Sequence, residues 1–170
     1  MHEQIKDNIG SRVLNDKRTL LSGEIAGPIR ELLEQRGVLV FPEIGFSDEE
    51  QIAFTKTLGT FQPEPRQGDN TVFKVTLDTK ENPHSAEYLK GSLFWHLDGT
   101  MNDVPILASL LSSKKLASWG GNTGFCSTYA AYESLPAEQQ AALEPLRVMH
   151  SVWASVFYYE PEPSLAKLKG

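Results

Sequence analysis

The chain is poor in cysteine, in positive charge and in long apolar runs, and each shortage removes a class of protein. Its one cysteine, Cys126, has no partner for an internal disulfide, which predicts a reducing compartment, the cytoplasm. Lys plus Arg number 16 against 22 Asp plus Glu, a net charge of −6. Nucleic acid and anionic lipid both need a positive field, so neither is expected as a partner. The longest apolar-rich stretch, "VPILASLL", is too short to span a bilayer. The opening "MHEQIKDNIGSR" has none of the apolar run of a secretory leader. No G-x-S-x-G elbow, P-loop, H-E-x-x-H or paired C-x-x-C occurs, so nothing points to nucleophilic hydrolysis or phosphate cradling.

What is present is an ordinary globular mix, 40% hydrophobic and 22% charged over 170 residues, enough for one domain with a core. Residues 1–22 are polar and unpatterned and read as a loosely attached lead-in, with the domain proper over 23–170. Ile25, Ile29, Leu32 and Leu33 share a helical face that Gly37 should stop. "VLVF" reads as a short buried strand. Ser47 with Glu50 forms a capping box for a helix carrying Ile52, Phe54 and Leu58 to Gly59. "TVFKVTLD" alternates as a strand would, with Phe73, Val75 and Leu77 on one side. "FWHLD", "ILASLL", the segment after "WGGNTG" and "LRVMHSV" are further strand candidates. "STYAAYESL" and "PAEQQAAL" read as two short helices split by Pro136. Helices first and strands later predict an α+β fold with a β core.

The chemistry centres on "GSLFWHLDGT", residues 91–100. Residues two apart on a strand share a face, so Phe94, His96 and Asp98 should project together, away from Trp95 and Leu97. Imidazole and carboxylate are both ligands for first-row metals. Two His and one carboxylate with open positions mark non-haem Fe(II) oxygenases, and this strand supplies two such ligands. The pair alone decides little. Four histidines in 170 residues give a chance His-x-Asp in roughly one such chain in six, and a self-satisfying His–Asp pair is the plain alternative.

Trp95-His96-Leu97-Asp98, followed by a strand and the turn Gly120-Gly121-Asn122-Thr123, resembles the taurine dioxygenase family of Fe(II)- and 2-oxoglutarate-dependent oxygenases. "FCSTYAAYESLP" and, upstream, "GVLVFPEIGFSDEEQIAFTKTLGTF" are similar to the corresponding family segments, and the likeness runs in order over residues 24–152. The resemblance implies a double-stranded β-helix (jelly-roll, cupin-like) core with N-terminal helices, here incomplete. It implies His96 and Asp98 as Fe(II) ligands, and a Thr123 hydroxyl bound to a carboxylate of the co-substrate 2-oxoglutarate beside the tight glycine turn. It places Ser92, Thr100 and Met101 along the substrate pocket. The implied reaction takes O2 and a small organic substrate and releases succinate and CO2. A homo-oligomer is left open.

The chain departs from the family at two places. The resemblance calls for a distal His and, some ten residues later, an Arg that binds 2-oxoglutarate. The remaining histidines are His2, His84 and His150, and no Arg follows Arg147; His150 reads as structural, because its segment matches an internal family segment. A partial dioxygenase domain is therefore expected, part of a larger enzyme. Taurine-specific members also carry a His-Pro-x-x-Tyr run after the opening helices. "TFQPEPRQGDN" has no His, which argues against a sulfonate; Arg66 there is an anion contact or a solvated side chain. The competing reading is a non-catalytic or degenerate binding module that keeps the fold. A cupin-like metal protein of other chemistry would gather more His near the first pair.

Overall fold

Side-chain caps start the first and third helices, and glycines end the first and second. The structure is a computed structural model and describes residues 1–62, 72–82, 89–100 and 102–165. Helix α1 (Lys17–Ser22) starts where the Asp16 carboxylate accepts the Thr19 N–H at 2.8 Å, and ends at Gly23 with φ 77°. Helix α2 (Ala26–Arg36) ends at Gly37, whose N–H reaches the Leu33 carbonyl at 2.7 Å. Helix α3 (Asp48–Leu58) carries the expected capping box in full, Ser47 bonding the Glu50 N–H while Glu50 returns to the Ser47 N–H. Two of the free backbone donors at that end are thereby satisfied.

Three short strands form one sheet in the order β1–β2–β3. β1 (His2–Gln4) runs antiparallel to β2 (Ser11–Val13), pairing His2 with Val13. β2 runs parallel to β3 (Leu39–Val40), pairing Ser11 with Leu39; α1 and α2 make the crossover that parallel strands need. Val13, Leu20, Ile29, Leu32, Phe46 and Phe54 are the buried cluster. At its centre Phe54, 1% exposed, meets Phe41 edge-on at 5.4 Å and Phe46 at 5.5 Å between ring centroids.

The expectation of a loose lead-in over residues 1–22 is corrected by this arrangement. That segment supplies two of the three strands, the first helix and the core residues Val13 and Leu20. The Arg36 guanidinium donates to the carbonyls of Lys6, Asp7 and Gly10 (Gly10 at 3.2 Å), which fastens the β1–β2 connection to the end of α2. Strands of three residues are too short to show alternation, so polarity misled.

The chain divides into two compact units, residues 1–72 with 110–145 and residues 73–109 with 146–170. In the first unit, two further short helices, α4 (Thr128–Glu133) and α5 (Ala137–Leu143), lie on either side of Pro136 as expected. Lys114 binds Asp48 and the Phe46 carbonyl, both at 2.9 Å, and Gln51 donates to the Leu110 carbonyl, so residues 110–114 are tied to α3. In the second unit, a 3-10 turn (Lys90–Leu93) precedes the His96 segment, and helix α6 (Val152–Tyr159) is capped by Ser151. Phe94 packs edge-on against Tyr158 at 5.3 Å.

The mixed α and β content agrees with the sequence, but the expected later strands do not form. Among the described residues, the segments 73–78, 94–98, 106–111, 124–127 and 146–150 have no ladder partners. A strand exists only through a neighbour that accepts and donates along its edge. The apolar side chains that such strands would bury stand in solvent, with Trp95 74% and Leu97 65% exposed. No helix among the described residues is long and apolar enough to cross a membrane.

Candidate metal centre

Although residues 94–98 are not a strand, the site pair comes together. His96 Nε2 lies 3.4 Å from Asp98 Oδ1, with side chains 49% and 59% exposed. Directly after Asp98 the chain turns. Gly99 takes φ 65°, and its carbonyl accepts the Asn102 N–H at 3.1 Å. A left-handed φ is costly for any residue with a Cβ. Space is equally restrictive, because a Cβ on Gly99 would fall 2.4 Å from Ile106 Cδ1 and 2.6 Å from its Cγ1.

Hydrogen bonding fixes the chemistry of the pair. His96 Nδ1 stands 2.7 Å from the Phe94 carbonyl. A carbonyl only accepts, so Nδ1 carries the proton, and in the neutral ring Nε2 presents its lone pair. This arrangement of a backbone acceptor behind the imidazole is the one that metal-ligating histidines use. Nε2 and Oδ1 are then two acceptors facing each other, and two acceptors need a cation or a proton between them. Their 3.4 Å separation exceeds the ~2.7–2.9 Å of a charge-assisted N–H···O bond. Two donors each ~2.1 Å from a shared divalent ion at right angles stand about 3.0 Å apart, so a shift of a few tenths of an ångström admits the ion. The pair therefore fits a metal as two adjacent ligands. Among the described residues, no group of three His, Cys, Asp or Glu is placed to hold one.

The other expected residues are distributed as follows. Thr123 is exposed in the first unit, after Gly120 and Gly121, which take φ 72° and 78° as a tight glycine turn requires. Among the described residues, apart from the chain neighbours, no atom lies within 4 Å of where a Cβ on either glycine would sit, so the backbone there is open to close approach. The Ser92 hydroxyl is engaged locally, donating to the Leu89 carbonyl at 2.6 Å. Thr100 is exposed in the turn after Asp98. Met101, His84 and Arg66 lie outside the described residues. His2 is an exposed member of β1, and His150 is exposed in the second unit.

Sequence reasoning missed one participant. The Ser109 hydroxyl donates to Asp98 Oδ2 at 3.1 Å, from eleven positions along the chain. A serine at that distance has no local signal; the glycine directly after Asp98 was the only hint that the chain turns back there.

Comparison with known proteins covers almost the whole chain. The family described as "Taurine catabolism dioxygenase TauD, TfdA family" matches residues 2–168. A relative from Sphingobium herbicidovorans, "(S)-phenoxypropionate/alpha-ketoglutarate-dioxygenase", is 33% identical over 116 residues, 68% of this chain and 40% of its own length. The "Alpha-ketoglutarate-dependent 2,4-dichlorophenoxyacetate dioxygenase" of Cupriavidus pinatubonensis is 30% identical over 156 residues, 84% of this chain and 54% of its own. A crystal structure of AAD-2 with Mn(II) and N-oxalylglycine superposes with a TM-score of 0.75 at 25% identity, covering 99% of this chain and 60% of that one. The chain thus spans about half the length of the curated relatives it matches.

Proposed function

The chain belongs to the taurine catabolism dioxygenase TauD/TfdA family, and from that membership we propose that it serves an Fe(II)- and 2-oxoglutarate-dependent dioxygenase. The reaction converts a small organic substrate R–H, 2-oxoglutarate and O2 into R–OH, succinate and CO2; where R–OH is a hemiacetal, it falls apart and the substrate is cleaved. The observation that carries the reading is the pair of facing acceptors, His96 Nε2 and Asp98 Oδ1, 3.4 Å apart in a family-matched segment. When bound, ferrous iron and 2-oxoglutarate supply the activation of O2 and the oxidising power. The rest is the work of this chain's own groups. His96 and Asp98 hold the ion, with the Phe94 carbonyl keeping the ring proton on Nδ1. Thr123 donates its hydroxyl to a co-substrate carboxylate, and Gly120-Gly121 lets the backbone approach it. By the family resemblance, Ser92, Thr100 and Met101 are assigned to substrate contact.

The substrate of this reading is a small organic acid. The phenoxypropionate and dichlorophenoxyacetate relatives act on carboxylates by name, and the segment after Gly59 lacks the histidine of the sulfonate-specific run. The fold of this reading is the jelly-roll core, of which the chain provides part, in a cytoplasmic protein. The test is succinate formation followed by NMR with the full-length protein. Succinate should appear only with Fe(II) present and should vanish in His96→Ala; undiminished turnover in that variant rejects the assignment.

A second reading is a non-catalytic module, favoured by one observation: among the described residues no third metal-capable group joins the pair. Titration with Fe(II) and 2-oxoglutarate separates the two, since stoichiometric binding of both belongs to the enzyme alone.

A further inference from the structure

We propose that Ser109 is a positioning residue that aims the Asp98 carboxylate at the metal; this rests on the ferrous-site reading above. A carboxylate turns easily about its last bond, which is broad and two-fold, and Asp98, 59% exposed at its side chain, has little packing to restrain it. One contact breaks that symmetry. Oδ2 accepts the Ser109 hydroxyl at 3.1 Å while Oδ1 faces His96 Nε2 at 3.4 Å.

The serine arrives there by a registered chain reversal. The Asn102 N–H closes the turn on the Gly99 carbonyl at 3.1 Å, and Ile106 lies where Gly99 lacks a Cβ. The returning segment is therefore fixed twice, by Ile106 on the turn and by Ser109 on the carboxylate. With Oδ2 held by a hydroxyl proton, the carboxylate offers the ion one oxygen. A carboxylate held so would meet the ion through Oδ1 alone and would leave more of it open to a co-substrate. His96 is oriented in the same manner by the Phe94 carbonyl, so each of the two ligands has its own backing group.

Outer partners of this kind are worth about 10–100-fold in metal affinity. The experiment is Mn(II) binding to the full-length apoprotein, followed by EPR, for wild type, His96→Ala, Ser109→Ala and Ser109→Thr, with thermal melts of each apoprotein. Ser109→Ala should raise the Mn(II) Kd about 10–100-fold without moving the apoprotein's Tm, and Ser109→Thr, which keeps the hydroxyl, should restore affinity and the wild-type EPR line shape. A structural role alone would shift Tm and leave affinity unrescued by threonine. Tight wild-type binding that His96→Ala abolishes but Ser109→Ala leaves intact overturns the role of Ser109 and spares the site. Wild-type binding no tighter than that of His96→Ala overturns the metal centre itself, and this proposal with it.

Discussion

Gly99→Ala is the sharpest probe of the turn that returns Ser109 to Asp98. The new Cβ meets two separate penalties. At φ 65° an L-residue costs about 1–2 kcal/mol. Its Cβ would also lie 2.4 Å from Ile106 Cδ1 and 2.6 Å from Cγ1, an overlap of the kind that costs about 1–3 kcal/mol. The terminal methyl of Ile106 can swing aside, but Cγ1 moves only if the χ1 rotamer changes, so the clash is not free to relax. Together the penalties come to about 2–5 kcal/mol. The chain then has two outlets. It keeps the turn and loses that much stability, or it opens the turn, draws Ser109 away from Asp98 and, on the proposed role of Ser109, loses Mn(II) affinity. Urea denaturation and Mn(II) titration on the same samples read both outlets. Ile106→Ala in the Gly99→Ala background removes the clash and leaves the backbone term, so the double variant should recover about 1–3 kcal/mol relative to additivity. Wild-type stability together with wild-type affinity in Gly99→Ala would refute the reasoning, and strict additivity in the double variant would refute the part assigned to Ile106.

Two further outcomes concern the first unit. Phe54→Ala, which removes a ring 1% exposed between Phe41 and Phe46, should cost about 3–5 kcal/mol in urea denaturation; Phe54→Leu should cost under about 1.5 kcal/mol, and equal losses would contradict the packing account. Acid should destabilise this unit. The Lys17 ammonium and then the Ser47 N–H hold the Glu50 carboxyl below the usual carboxylate range, and the Thr19 N–H and then its side chain do so for Asp16. A carboxylate depressed in the folded state stabilises above its unfolded pKa and loses that contribution as pH falls through the folded one. The urea midpoint should therefore hold from neutrality down to about pH 5 and decline below about pH 4. Glu50→Gln, which keeps the capping oxygen but not the charge, should shallow that decline; an unchanged acid limb would exclude Glu50 as a contributor.

Where the signal is local, the sequence was sufficient. The capping box at Ser47 and Glu50, the stop at Gly37 and the Pro136 break between α4 and α5 are each written within a few residues, and each forms. The strand expected in "TVFKVTLD" was read from alternation, which reports which side chains would share a face and says nothing of which backbone will pair. Helix α6 was unreadable for the opposite reason. "VWASVFYY" is aromatic and β-branched, a composition that favours strands, and only the Ser151 hydroxyl on the Ala154 N–H marks the helical start. The β1–β2 hairpin was hidden because its anchor, Arg36, lies twenty-six positions from Gly10.

The His96–Asp98 pair was legible for a reason that differs from the one first given. A strand face would have brought the two together through their shared side of the pleat; here they meet with no ladder, and the turn at Gly99 returns Ser109 to Asp98 instead. A strand holds its register only while a neighbour is paired with it. The observed pair is held by Phe94 on His96, Ser109 on Asp98 and Ile106 against Gly99, all within residues 94–109. Closing so short a loop costs little chain entropy, and the cost grows only slowly with length. The two side chains can therefore stand 3.4 Å apart without a paired strand to hold them. On this argument the two side chains are preorganised locally, by contacts that need no paired strand.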